Sequence, residues 1–288
     1  MFLIYFFLLF LTTCCGVLTM GLIRARRNTA NVVHLLDRRL QLAQLARTRE
    51  LAAVWGILAA PDSEHPIRFT SQHGEDFHAW RSLGRPTSGF FVDVGAYDGV
   101  RASNSFALEQ LGWHGLLIEA NPASVAKCRA LRPRATTVHA AVGGRRAKGS
   151  VSFKVISGRT DADMLSHVDA NKEQPSALRE QRTKTATVID VPFRSLEDIL
   201  DQYAAKERQI DLLTIDIEGI ELPVLAALNF ERWSPRLIIV EANDDAIIPF
   251  LENRSYNLIS TVGANWLFLH GSSPDSPYNL PEFEFIRY

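Results

Sequence analysis

Phe90-Phe91-Val92-Asp93-Val94-Gly95-Ala96-Tyr97-Asp98-Gly99 is the stretch on which this 288-residue chain turns. Apolar and β-branched residues run up to an acid, and the chain then bends on two glycines. Ser103-Asn104-Ser105 comes next, and Phe106, Leu108 and Leu111 follow at helical spacing. A buried strand, a tight glycine turn and a helix start are predicted in that order. In open α/β sheets, ligands bind beyond the carboxyl ends of such strands.

The turn narrows the ligand. A dinucleotide loop reads G-x-G-x-x-G, and its second glycine lets bare backbone approach a pyrophosphate. Counting from Gly95, Tyr97 takes that place and Val100 takes the third. A ring where phosphate needs bare backbone argues against NAD or FAD, and so against a nucleotide-dependent oxidoreductase. Asp93 suits a cationic group instead. S-adenosylmethionine carries an ammonium and a sulfonium and no phosphate. The plainer reading of Asp93 is a cap on the following turn.

Working downstream, Gly115-Leu116-Leu117-Ile118-Glu119 is a second buried strand, ending in an acid 24 residues after Gly95. Such an acid can take both hydroxyls of a ribose. Asn121-Pro122 starts the next helix. Residues 136–142 read as a third strand, whose small residues, Ala141 among them, leave room for an adenine. Strands at 150–156 and 187–191 flank a polar, charged segment that reads as a substrate lid, residues 157–186. Ser195 and Asp198 form a capping-box variant at a helix start. Residues 210–215 then run into Asp216, Glu218 and Glu221 around Gly219. Three acids crowded at the end of a central strand are costly unless they act. A fifth strand ends in Glu241, a helix spans 244–253, and strands at 256–261 and 265–270 close as a hairpin. Alternating strands and helices predict the α/β class: a Rossmann-like doubly wound sheet, mostly parallel with one antiparallel edge strand.

Upstream, Ser71-Gln72-His73-Gly74-Glu75-Asp76 precedes a short amphipathic helix carrying Phe77, Trp80 and Leu83. This polar cluster is placed to cover the cofactor site. Residues 1–23 hold no charged side chain and are long enough to span a bilayer, so a single-pass transmembrane helix is predicted there. A cleaved signal peptide would want a basic start and a small-residue cleavage site, and neither is present. Arg24, Arg26 and Arg27 follow at once, which by the positive-inside rule favours a cytosolic domain. Asn253-Arg254-Ser255, a glycosylation sequon, would matter only on the lumenal side. Residues 24–60 read as a helical stem with seven arginines against Asp37 and Glu50 up to position 50, a basic face that can lie on anionic lipid or pack on its own domain. Residues 61–288 form the catalytic domain.

Composition sets the remaining bounds. Apolar residues make up 47% and charged residues 22%, a globular balance. A net charge of -1 gives no reason to expect nucleic acid as a partner. Of three cysteines only Cys128 lies in the folded domain, so no disulfide is expected within it. A metal shared by Asp216, Glu218 and Glu241 has oxygen ligands in its favour but no supporting spacing, and none is assigned.

These stretches together resemble the FkbM-type family of S-adenosylmethionine-dependent methyltransferases. The likeness lies in residues 71–76, 91–99, 103–105, 111–122, 195–200 and 216–221, in the family's order, across about 68–270. It implies a methyltransferase fold, S-adenosylmethionine as cofactor, and methyl transfer to an oxygen, often of a sugar or polyketide hydroxyl. It implies cofactor contacts from Asp93, Gly95, Ala96, Tyr97, Asp98, Gly99, Asn104, Glu119, Asn121, Ala141 and Asp216. Asp216, with Glu218 or His73, is the candidate base. Some animal members carry an N-terminal membrane helix, and one such branch is known for trafficking. The alternative is therefore a catalytically silent, membrane-anchored protein of the same fold.

Overall fold

The computed structural model describes residues 35–36, 38–60, 64–156, 167–168, 186–217 and 219–271. The apolar run at 1–23, Glu218 and nearly all of the expected lid therefore lie outside the described residues. Two compact units are formed, Met1–Glu50 and Leu51–Tyr288. No helix among the described residues is long and apolar enough to cross a membrane.

The second unit is a mixed α/β domain. Helix α1 covers residues 38–58, and its part from Leu51 onward belongs to this unit. The described elements then run α2 (Glu75–Ser82), β1 (Phe90–Val94), α3 (Phe106–Leu111), β2 (His114–Glu119), α4 (Pro122–Leu131), β3 (Ala135–His139) and β4 (Ala141–Gly143). They continue with β5 (Ser150–Ile156), β6 (His167–Val168), β7 (Ala186–Ser195), α5 (Leu196–Tyr203), β8 (Leu212–Ile215) and α6 (Glu221–Ala227). Last come β9 (Leu237–Glu241), α7 (Ile247–Glu252), β10 (Tyr256–Val262) and β11 (Asn265–His270).

One sheet has the order β10-β11-β9-β8-β1-β2-β3. The neighbours from β9 across to β3 are parallel. Alternation along each strand separates two apolar layers. Val92, Leu213 and Val240 face α5, α6 and α7 on one side. Phe91, Leu117 and Ile239 face α1, α2, α3 and α4 on the other. Helices thus cover both faces of the central strands β1 and β8, which are buried throughout, as a parallel sheet requires. Local chemistry starts the helices where the sequence analysis placed them. Ser195 Oγ accepts from Asp198 N at 3.1 Å, and Asn121 Oδ1 accepts from Ala123 N at 3.0 Å ahead of Pro122.

Three expectations change. The antiparallel strand is not at the edge: β11 lies between β9 and β10 and is antiparallel to both. The physical reason is in the side chains. Residues 265–269 are buried throughout, which fits an inner strand, whereas β10 alternates between buried and exposed. The expected third strand breaks at Ala140, whose N–H donates to Glu119 O at 3.0 Å. Its second half, β4, leaves the main sheet and pairs with β7. β4 thereby joins a separate sheet of order β4-β7-β5-β6. The helix expected at 244–253 is regular only over Ile247–Glu252, because Asp244 Oδ1 holds Ala246 N in a turn first.

Candidate active site

The carboxyl ends of β1 and β8 meet at Gly95. Its φ is +89°, and a Cβ there would stand 1.9 Å from Asp216 O. Only glycine allows this approach. Gly95 N and Ala96 N both donate to Ile118 O, at 2.9 and 3.2 Å, so the turn leans onto β2. Tyr97 is then left-handed at φ 50°, sparsely populated space for a ring-bearing residue. Asp98 Oδ1 closes the turn by accepting from Val100 N and Arg101 N at 3.0 and 2.7 Å.

Two buried carboxyls flank this loop. Glu119, 8% exposed, accepts from Tyr97 N at 2.8 Å and Asn121 N at 2.7 Å. Burial raises its pKa to about 7; the backbone donors oppose the rise and the nearby Asp93 charge adds to it. Asp93, 5% exposed, accepts from Ser105 Oγ at 2.6 Å. Burial raises it as well, against the Ser105 bond and the charge of Arg132. Two desolvated acids, both shifted toward the neutral form, thus flank one strand-end loop, the kind of perturbation that gathers at functional sites.

Arg132 braces the loop from behind. It is 1% exposed at the end of α4. Its guanidinium reaches Glu109 at 2.7 Å, Gly99 O at 2.6 Å and Ser105 Oγ at 3.1 Å. Asp93, Ser105, Arg132 and Glu109 therefore form one chain of hydrogen bonds. Sequence reasoning missed Arg132, Ser105 and Glu109, since a buried arginine has no periodic signal. It is legible only once α3 and α4 are packed together.

The other predicted residues divide. Asn104 points inward, its Nδ2 donating to Thr214 Oγ1 at 3.0 Å, and so ties the loop to β8. Asn121 is engaged as the cap of α4. Ala141 is buried with Ala120, Phe153 and Val191 beside the second sheet. Asp216 is exposed at the end of β8. Gly219 is held by Glu221: Glu221 Oε1 accepts from Ile217 N and Gly219 N, both at 3.1 Å. Glu221 is itself buried and takes Asn243 Nδ2 at 2.6 Å, so it stabilises the turn.

Segment 71–76 crosses the carboxyl end of the sheet. Ser71 bridges to Ala102 in the loop after β1. Asp76 is fully buried and accepts from Thr70 N at 2.7 Å and from Ser71 N and Ser71 Oγ. Burial raises its pKa to about 6 against those bonds. His73 reaches Gly263 in the β10–β11 turn. Among the described residues, no group of three His, Cys, Asp or Glu side chains converges on a possible metal position.

A sheet of this order, with a glycine loop after β1 and an acid closing β2, defines a methyltransferase-type α/β domain. The methyltransferase FkbM domain family matches residues 93–258, and the chain belongs to that family. It is also similar to methyltransferase sdnD of Sordaria araneosa, with 25% identity over 216 residues, 66% of this chain and 81% of that protein. The protein is a methyltransferase.

Proposed function

We propose that this methyltransferase uses S-adenosylmethionine and methylates a hydroxyl oxygen on a sugar-like or other small-molecule or glycoconjugate acceptor at a membrane. The observation that carries the reading is the buried pair of acids at loop 95–99, Asp93 and Glu119, each raised by burial. A cationic group beside Asp93 and hydroxyl donors to Glu119 would relieve that cost. The fit extends to Gly95, where any side chain would strike Asp216 O. Asp93 then lies near the ammonium, Gly95–Gly99 along the methionine part, Glu119 at the ribose and Ala141 by the adenine. Bound S-adenosylmethionine supplies an electrophilic methyl group. The protein's share is to position the acceptor in line and to take its proton. Asp216, exposed at the end of β8, and Glu241, half-buried at the end of β9, disfavour an anionic acceptor. The membrane context rests on the uncharged run at 1–23.

Calorimetric titration of the full chain with S-adenosylmethionine tests the cofactor. Micromolar binding is expected, weakened at least tenfold in both Asp93→Asn and Glu119→Gln. A folded wild-type chain that binds none would end the reading.

A further inference from the structure

Glu75 is the first residue of α2 and is 1% exposed. A first-turn glutamate ordinarily reaches into water. This one is turned to three donors: Oε2 accepts from His73 N at 2.8 Å, and Oε1 faces Asn265 Nδ2 at 3.0 Å and His73 Nδ1 at 3.3 Å. Asn265 keeps its amide nitrogen on the carboxylate although its own Oδ1 is buried without a partner among the described residues. The imidazole also packs on the β10–β11 turn. A Cβ at Gly263, where φ is +58°, would stand 2.2 Å from His73 Nδ1. Carboxylate and glycine thus fix the ring from two elements, α2 and the hairpin. The His73 side chain is 34% exposed, and its Nε2 bonds to no described residue.

A carboxylate only accepts hydrogen bonds, so the nitrogen facing it must carry the proton in the neutral ring. Nε2 then keeps its lone pair. An imidazole base oriented by a buried third group is the arrangement used to activate nucleophiles. We propose that Glu75, locked by Asn265, is a positioning residue that holds His73 in the Nδ1–H form. Nε2 thereby becomes the proton acceptor for the substrate hydroxyl at the carboxyl end of the sheet. This rests on the methyl-transfer reading for the source of the proton. His73 Nε2 takes the O–H proton while the hydroxyl oxygen bonds to the methyl carbon. The pair of the broken carbon–sulfur bond stays on sulfur, and the imidazolium beside Glu75 later yields its proton to water. His73 packs on the β10–β11 turn, and β11 lies two strands beyond β8 in the sheet order.

Long-range proton–nitrogen NMR on the nitrogen-15-labelled full chain, above the pH at which imidazole titrates, reads the tautomer directly. The expected wild-type signal for His73 is a protonated Nδ1 and a bare Nε2. In Glu75→Gln the amide can donate to Nδ1, and the Nδ1–H to Nε2–H ratio should fall tenfold or more, the size of a lost charge-assisted bond. Gly263→Ala displaces the ring while leaving the carboxylate, and should lose the preference too. A wild-type Nε2–H signal, or an unaltered ratio in Glu75→Gln, overturns the proposal. An intact Nδ1–H signal in a folded wild-type chain that binds no S-adenosylmethionine removes the base role and leaves the positioning.

Discussion

At the residue scale, burial does most of the electrical work. Glu119 and Asp76 are carboxyls whose pKa values lie near 7 and 6, well above their ordinary range, because desolvation outweighs the hydrogen bonds they accept. The consequence for stability has a definite sign. A carboxyl raised in the folded state binds its proton more tightly there than in the unfolded chain. Its contribution is present below the unfolded pKa and is lost as pH rises through the folded one. Each group therefore removes up to about 3 kcal/mol from the ligand-free chain, Asp76 between about pH 4 and 6 and Glu119 between about pH 4.5 and 7. His78, lowered mainly by burial, acts in the opposite direction over the acid part of that range. Single variants separate them. Denaturant unfolding should show a flatter loss of stability than the wild type from about pH 4.5 to 7 in Glu119→Gln and from about pH 4 to 6 in Asp76→Asn. Unchanged slopes would show that these carboxyls are not the groups at work.

At the scale of elements, α1 is the instructive one. Its apolar spacing reads as a stem up to residue 60, and Pro61 reads as the boundary. Packing draws the line elsewhere. Ala52 is buried, Trp55 meets Trp80 edge-on at 6.1 Å and lies under Arg85 at 4.4 Å, and Gly56 O accepts from Ile67 N at 3.0 Å. A Cβ on Gly56 would stand 2.2 Å from Ile67 O, so the helix and the following strand-like segment are pressed together. A chain beginning at residue 51 keeps these contacts, and one beginning at 61 exposes the Trp80 face. The shorter chain is expected to be about 3 kcal/mol less stable, roughly 10 °C in melting temperature. Calorimetric melting of the two truncations measures it, and equal melting temperatures would show that α1 adds nothing to the domain.

At the scale of the whole molecule, the proposed anchor at 1–23 would put the domain on one side of a membrane. The arginines at 24, 26 and 27 favour a cytosolic domain. Asn253 offers a built-in reporter. It lies exposed at the end of α7, in the sequon Asn253-Arg254-Ser255. Expression with microsomes should leave Asn253 unmodified if the domain is cytosolic. A glycan there, lost in Asn253→Gln, would place the domain in the lumen and reverse the charge argument.

The apolar runs of Phe90–Val94 and Leu212–Ile215, the two glycines after β1 and the acid closing β2 were legible in the sequence, because short apolar runs and turn chemistry specify them locally. The α/β class and the strands of the parallel sheet follow from those residues. The position of β11 inside the sheet, the escape of β4 to a second sheet and the inclusion of α1 in the domain do not. Each depends on which buried surface finds which partner across a long stretch of chain. The same holds for Arg132 behind Gly99, for Glu221 on Gly219, and for Glu75 with Asn265 and Gly263 around His73. Those sets join residues up to 190 positions apart, and only the folded sheet, which carries the β10–β11 turn to the start of α2, makes them neighbours.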